Sequence, residues 1–175
     1  MKSIPSNPPV KLGLVGLGDW GHQVALSAEL DPGVTISACY ARSPETRISF
    51  AERYGCTPCS SYEEMLQDST IEGVVVMTPT RAHRDQVVAA AAHGKHCLVT
   101  KPIATSIEDG TAMIRAFEES GVILAVGHQS RREPALRKLK VRPPGRGCLR
   151  IEIFSWYHPF DRVRERYERA RDDEL

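Results

Sequence analysis

The sequence predicts an α/β fold: a doubly wound parallel sheet of the Rossmann type, followed by a short irregular C-terminal extension. Short apolar runs rich in β-forming residues alternate with helical patterns through most of the 175 residues. The run Gly73–Met77 is continuously apolar, which is typical of a strand buried on both faces. The first run ends in Gly16, Gly18 and Gly21, spaced G-x-G-x-x-G, where a strand is expected to turn sharply into a helix.

The predicted elements follow one another without long gaps. Ser61 and Thr105 each stand three residues before a glutamate, the spacing of a capping box. Apolar and β-branched runs predict strands at Lys11–Val15, Val34–Ala41, near Cys56–Cys59, and at Gly73–Met77, His96–Val99 and Val122–Val126. Helical spacing and terminal glycines predict helices from near Trp20 to Leu30, from Ser43-Pro44 to Gly55, from Ser61, at Ala82–His93, and from Thr105 to Gly121.

The chain is long enough for one full domain with a core of its own. Residues 1–9 contain adjacent prolines and predict a flexible N-terminal arm. Residues 10–140 hold the alternating elements, and residues 141–175 open with the Pro- and Gly-rich loop VRPPGRG. In that last segment Cys148–Phe154 alternates apolar and charged residues, as a strand with one wet face does, and a charged tail follows.

Composition and charge exclude several classes of function. Hydrophobic residues at 41% and charged residues at 26% are typical of a globular protein in water. The 23 basic and 22 acidic residues leave a net charge of +1, which offers no general attraction to nucleic acid or to an anionic membrane. No apolar run approaches the length of a membrane span, and the N-terminus lacks the apolar core of a signal peptide. We therefore expect a cytoplasmic protein without a nucleic-acid or membrane partner.

Five cysteines in a chain without an export signal are expected to be free thiols. Cys56 and Cys59 form a C-x-x-C pair, the spacing of redox dithiols and of half a zinc site. A structural zinc needs four ligands, and no second pair follows at the usual spacing. The pair is therefore interpreted as part of a loop, and no metal site is predicted.

Each glycine of the motif has a separate physical task. Gly16 permits the tight turn, Gly18 lets the backbone approach a pyrophosphate without a Cβ in the way, and Gly21 lets the next helix pack against the strand. The helix N-terminus then directs its free N–H groups at the phosphates. The alternative for the isolated motif is an ordinary strand-to-helix turn. The residues predicted to bind a dinucleotide here are Gly16, Leu17, Gly18, Asp19, Trp20 and Gly21.

The end of the second predicted strand indicates which dinucleotide is preferred. An acidic residue at this place usually binds the ribose 2′-OH of NAD, but here Arg42 and Ser43 fill it and no carboxylate follows until Glu45. A guanidinium binds phosphate with paired hydrogen bonds, so NADP is favoured over NAD. Alternatively, Arg42 is a solvated residue and Ser43 only caps its helix. For Ser43 the two roles, contact with the 2′-phosphate and capping of the helix, are compatible.

Four stretches in order resemble the N-terminal domain of the glucose-fructose oxidoreductase / inositol dehydrogenase / MocA (Gfo/Idh/MocA) family. They are GLGDWG at Gly16–Gly21, VVVMTPTRAH at Val74–His83, GKHCLVTKPIA at Gly94–Ala104, and VGHQSRREPALRKLK at Val126–Lys140. The resemblance implies a first domain that binds NAD(P) and a second domain, an open sheet, that carries most of the substrate pocket. It also implies an active-site lysine in a Glu-Lys-Pro motif.

The resemblance assigns the catalytic role to Lys101, which with Pro102 matches that motif and would relay a proton to or from the substrate hydroxyl. A lysine can do this when burial or a nearby cation lowers its pKa toward neutrality. Thr100 stands in place of the family glutamate, so this turn lacks the carboxylate of the motif. The alternative for Lys101 is a solvated lysine at a strand end.

The resemblance also implies cofactor contacts beyond the glycine turn. Thr78, Pro79 and Thr80 match a loop that passes beside the nicotinamide ribose, with Thr80 where asparagine is commoner. His83 matches a histidine that opens the next helix, and Gln129 matches a polar residue near the nicotinamide. From the residues alone, His83 is equally an ordinary helix-start residue and Gln129 a polar loop residue.

Together these features predict an NAD(P)-dependent oxidoreductase that transfers hydride between the nicotinamide and a sugar, polyol or related hydroxyl compound. The chain is expected to be a truncated family member with weak or no activity unless a complementing partner chain supplies the second half. Its expected partners are a small-molecule substrate and either further copies of itself, as a homo-oligomer, or such a complementing chain. The alternative is a non-catalytic nucleotide-binding module or degenerate fragment. A small reductase of another Rossmann lineage is less favoured, because no Tyr-x-x-x-Lys pair is present.

Overall fold

The computed structural model describes residues 8–128 of the chain. The strands are β1 (Val10–Val15), β2 (Val34–Tyr40), β3 (Thr57–Pro58), β4 (Gly73–Val76), β5 (His96–Thr100) and β6 (Leu124–Gly127). The helices are α1 (Asp19–Glu29), α2 (Pro44–Tyr54), α3 (Tyr62–Gln67), α4 (His83–Ala92) and α5 (Ile107–Ser120), with a 3-10 turn at Thr80–Ala82 before α4. The predictions for Gln129, for the strand at Cys148–Phe154 and for the charged tail lie outside the described residues.

The six strands form one sheet in the order β3-β2-β1-β4-β5-β6, and every neighbouring pair is parallel. The predicted α/β fold with a parallel sheet of the Rossmann type is therefore confirmed. The chain runs outward from β1 to β3 and then returns to β4 on the other side of β1. Ligands of such sheets bind outside the carboxyl ends of the strands at this reversal, which lies between β1 and β4.

The core forms two layers, one on each face of the sheet. On one face Leu14 and Val75 pack with Phe50 of α2. On the other face Val74 and Val99 pack with Met113 of α5. All four residues of β4 are buried, as predicted for a continuously apolar strand at the centre of a covered sheet. The strand ends on either side of the reversal are therefore held by a rigid, well-packed scaffold.

Side-chain caps fix where the helices begin. The predicted caps Ser43 and Ser61 are confirmed, since each side-chain oxygen accepts a hydrogen bond from the backbone N–H three residues on, at 3.1 and 3.0 Å. The prediction for the last helix was wrong by one residue. Its cap is Ser106 rather than Thr105, and the Ser106 hydroxyl oxygen accepts from the N–H of Asp109 at 3.1 Å.

At the edge of the sheet opposite the glycine turn, where the strands begin, a buried lysine connects the start of β5 to the loop before β4. Lys95, which precedes β5, is 7% exposed. Its Nζ donates to the backbone carbonyls of Asp68 and Ile71, at 2.7 and 2.8 Å, in the loop before β4. Buried ammonium groups need such partners, so this lysine serves the fold. Between residues 8 and 128 no helix combines the length and the apolar character needed to cross a membrane.

Candidate functional site

Gly16 cannot be replaced by a larger residue without moving backbone. Its φ of +92° is a conformation that L side chains rarely adopt. A Cβ at this residue would lie 2.8 Å from the carbonyl carbon and oxygen of Met77 and 2.9 Å from the nitrogen of Thr78. The N–H of Gly16 donates to the carbonyl of Tyr40 at 3.1 Å. The turn after β1 is thus fitted tightly between the ends of β2 and β4.

Gly21 and Gly18 meet different surroundings. A Cβ at Gly21 would lie 2.9 Å from the carbonyl oxygen of Gly16, so this glycine lets α1 pack against the turn. Gly18 is the N-cap of α1 with φ −77° and ψ −162°, an extended conformation open to any residue, and a Cβ there would meet nothing within 4 Å. Packing therefore does not require glycine at this position.

The space beside Gly18 fits a phosphate group. With no side chain to cap α1, the N–H groups of its first turn have no side-chain partner. Such N–H groups and the positive end of the helix dipole form an anion-binding site. A side chain at Gly18 would occupy the space through which a pyrophosphate reaches them. This is the fit that a dinucleotide cofactor requires of the turn.

The other residues of the turn divide between core and surface. Leu17 is 5% exposed, and its side chain belongs to the apolar cluster that contains Leu14 and Phe50, so only its backbone can face a ligand. Asp19 and Trp20 open α1 with exposed side chains, and Trp20 is 50% exposed. The indole of Trp20, beside the anion-binding N-terminus of α1, is available for contact with a bound molecule.

At the carboxyl end of β2, Ser43 caps α2 as predicted and Arg42 is exposed. The Ser43 hydroxyl also donates to the Glu45 carboxylate at 2.7 Å, and this bond lowers the pKa of the Glu45 carboxyl. The guanidinium of Arg47 donates to the carbonyl of Ala41 at 3.2 Å, which fixes the backbone just before Arg42. The sequence predicts no contact for Arg47 and identifies Glu45 only as the first carboxylate after β2, although both lie about one helical turn from Ser43, which was a usable signal.

His83 joins the loops that follow β4 and β5. The side chain is 1% exposed, with Nε2 2.8 Å from the carbonyl oxygen of Thr78. Its Nδ1 is 3.1 Å from both the Pro102 and the Ile103 carbonyl oxygens. His83, predicted to contact the cofactor, thus has a buried ring whose described partners are backbone carbonyls. It holds two candidate site loops together.

The two joined loops carry the remaining predicted residues. Thr78 donates from its hydroxyl to the side-chain oxygen of Gln86, Pro79 is exposed, and Thr80 opens the 3-10 turn. Lys101 and Pro102 are exposed at the carboxyl end of β5, and the peptide bond between them is cis. Because all the strands are parallel, these residues lie at the same edge of the sheet as the glycine turn.

Cys56 and Cys59 stand on either side of β3 with free thiols. Burial, together with the charges of Glu64 and Asp68, raises the pKa of Cys59 to about 11, so this thiol is protonated and unreactive near neutral pH. Residues 8–128 contain no group of three or more His, Cys, Asp or Glu side chains placed to hold a metal ion.

A family model for Gfo/Idh/MocA oxidoreductases, an oxidoreductase family with an NAD-binding Rossmann fold, matches residues 10–128. The chain belongs to the Gfo/Idh/MocA family. The glycine turn and the parallel sheet described above are therefore those of an NAD(P)-binding Rossmann domain.

Curated relatives agree with the assignment to Gfo/Idh/MocA. An uncharacterised oxidoreductase of Streptococcus pneumoniae is 34% identical over 119 residues, which are 68% of this chain and 32% of the relative. The 1,5-anhydro-D-fructose reductase of Ensifer adhaerens is 31% identical over 129 residues, 73% of this chain and 39% of the relative. The chain thus spans 32% to 39% of the length of these relatives.

Solved structures give the same fold with cofactor bound. The WlbA dehydrogenase from Bordetella pertussis, in complex with NADH and UDP-GlcNAcA, is 30% identical with a TM-score of 0.72, covering 78% of this chain and 40% of that one. KijD10, a 3-ketoreductase from Actinomadura kijaniata in complex with NADP and TDP-benzene, also has a TM-score of 0.72. At 24% identity, over 75% of this chain and 41% of that one, the KijD10 likeness supports the fold alone.

Proposed function

We propose that this Gfo/Idh/MocA domain is the cofactor-binding part of an oxidoreductase that transfers hydride between NADP(H) or NAD(H) and a hydroxyl group of a sugar, polyol or related compound. The observation that carries the proposal is the open space over Gly18. Glycine there has no packing role in the protein, and a pyrophosphate would use the space. The similarity to a 1,5-anhydro-D-fructose reductase and to the WlbA dehydrogenase, solved in complex with UDP-GlcNAcA, supports the substrate class.

The chain's own residues would act as follows. The first-turn N–H groups of α1 would bind the pyrophosphate, and Arg42 would attract a ribose 2′-phosphate, which favours NADP. Thr78–Thr80 would line the nicotinamide end, beside the turn that carries Lys101. The bound dinucleotide would supply or accept the hydride. The Lys101 ammonium would hold the substrate oxygen and exchange its proton, while His83 would keep the two loops at a constant spacing.

We expect Gly18→Ala to weaken NADPH binding about tenfold or more while the fold stays intact. The backbone at Gly18 accepts alanine without strain, and the new methyl would meet no protein atom within 4 Å but would block the pyrophosphate. Nicotinamide fluorescence titration measures the affinity and urea unfolding measures the stability. Gly110→Ala in α5, whose Cβ would be 3.9 Å from Ala104, is the matched control and should leave the dissociation constant of NADPH unchanged. Equal NADPH affinity in wild type and Gly18→Ala would contradict binding of the pyrophosphate in the space over Gly18.

With a complementing chain that supplies the substrate pocket, we expect Lys101→Ala to lower turnover about a hundredfold with NADPH affinity unchanged within about twofold, because the lost group acts on the proton and not on the dinucleotide. The assay follows NADPH formation and consumption with a panel of polyols and keto-sugars. Lys11→Ala, which removes a lysine at the opposite edge of the sheet, is the control for loss of charge. Turnover that persists in Lys101→Ala would remove the proton-relay role.

The second candidate is a nucleotide-binding module without catalysis. It is favoured by the exposed position of Lys101 and by Thr100 in place of the motif's glutamate. Tight binding of NADPH with no turnover on any substrate, in wild type and in Lys101→Ala alike and also with a complementing chain that supplies the substrate pocket, would support this candidate. Failure to bind either dinucleotide would contradict both candidate functions.

A further inference from the structure

The Ser43 hydroxyl has no hydrogen-bonding capacity left for a ligand. Its oxygen accepts from the N–H and from the hydroxyl of Thr46, both at 3.1 Å. Its one proton is donated to the Glu45 carboxylate at 2.7 Å. A hydroxyl offers one donor and two acceptor positions, and all three are used. Any anion that needs a hydrogen bond from Ser43 must first displace Glu45.

This hydroxyl stands where a Rossmann domain meets the ribose 2′ position. The end of β2 is joined to the glycine turn by the bond from Gly16 to Tyr40, and Ser43 opens the helix that follows. The charges nearby oppose each other. Arg42 offers an exposed cation, the guanidinium of Arg47 is engaged with the backbone, and Glu45 places an exposed anion against Ser43.

We propose that Glu45 is a specificity-determining residue that limits the preference for NADP over NAD. Its carboxylate withholds the Ser43 proton from a 2′-phosphate and repels that dianion, whereas a ribose 2′-OH is neutral and is not repelled. The proposal rests on the proposed function, because it concerns the adenosine end of the same dinucleotide site. A merely structural role for Glu45, as an acidic residue in the first turn of α2, would affect helix stability and leave cofactor preference unchanged.

Two substitutions separate the two effects of the carboxylate. Glu45→Gln removes the charge but keeps an oxygen that accepts from Ser43, and should tighten NADPH binding about threefold. Glu45→Ala removes the acceptor as well and frees the hydroxyl, so the gain should reach about tenfold. NADH affinity should stay within about twofold in both. Ser43→Ala added to Glu45→Ala should cancel the part of the gain that depends on the hydroxyl.

The experiment is fluorescence titration of NADPH and NADH against the full chain and these variants, at low and at raised salt. Glu52→Gln, an exposed carboxylate further along α2, is the matched control and should leave the NADPH/NADH affinity ratio as in wild type. The gain in Glu45→Gln should shrink with salt, because it is electrostatic. Binding in wild type with an unchanged ratio in both Glu45 variants would overturn this proposal alone. Absence of binding for both dinucleotides in every variant would overturn the proposed function and this proposal with it.

Discussion

Gly16→Ala is expected to lower the free energy of unfolding by about 4 kcal/mol. The residue combines a φ of +92° with a Cβ position 2.8 Å from the backbone of Met77. The obstacle is main chain at the carboxyl end of β4, which cannot turn aside as a flexible side chain can. Urea unfolding followed by circular dichroism measures the loss, and NADPH titration at low temperature measures the effect on the site.

Gly94→Ala is the matched control for Gly16→Ala. Gly94 also has a positive φ, +66°, but a Cβ there would meet nothing within 4 Å. Only the left-handed backbone would then be strained, which costs about 1 kcal/mol. Similar losses in the two variants would show that the contact with Met77 is relieved by a small shift of the turn, and would contradict the tight fit described for it.

His83→Leu is expected to lower the free energy of unfolding by about 3 kcal/mol. Leucine has no N–H, so the carbonyls that face the two ring nitrogens, Thr78 on one side and Pro102 and Ile103 on the other, lose the donor that the imidazole directs at one side. A buried carbonyl that loses its donor pays its full cost of desolvation. The same urea unfolding measures the loss. Hydrogen exchange should show faster exchange at residues 78–80 and 101–104 than in the wild-type protein.

Three variants act as controls for His83→Leu. His83→Gln keeps a donor near the Nε2 position, facing Thr78, and His83→Asn keeps one near Nδ1, facing Pro102. A neutral imidazole donates from one nitrogen, so the variant whose donor stands at that nitrogen should recover more of the lost stability. His93→Leu removes a more exposed histidine that bonds Ala89 and Glu63, and should cost less than about 1 kcal/mol. Equal stability of His83→Leu and wild type would mean that the two loops are held by packing alone.

Much of the fold could be predicted because its signals are local. The buried strand β4, the turn at Gly16 and the cap at Ser43 each follow from a few adjacent residues. The cap of α5 was misplaced because Thr105 and Ser106 both stand three residues before an acid, and only the backbone geometry selects Ser106. The capping-box spacing fits both Thr105 and Ser106, so the sequence alone does not determine which of the two caps α5.

The candidate site was harder to predict, because its decisive contacts join residues distant in sequence. His83 follows a loop and looks like a surface residue, and nothing near it in the chain predicts that the turn after β5 covers it. Leu17 lies inside a ligand motif, yet its side chain packs in the core. The burial of Lys95 could not be predicted from nearby residues either, because its carbonyl partners lie 24 and 27 residues earlier in the chain.

The structure places different requirements on the three glycines of the turn. Gly16 and Gly21 are required by neighbouring backbone whether or not anything binds, whereas Gly18 faces open space. A descendant that lost its ligand would keep the first and third glycines in order to fold, while position 18 became free to drift to alanine or serine. Among related chains the residue at this one position should therefore separate copies that still bind a dinucleotide from copies that only retain its shape.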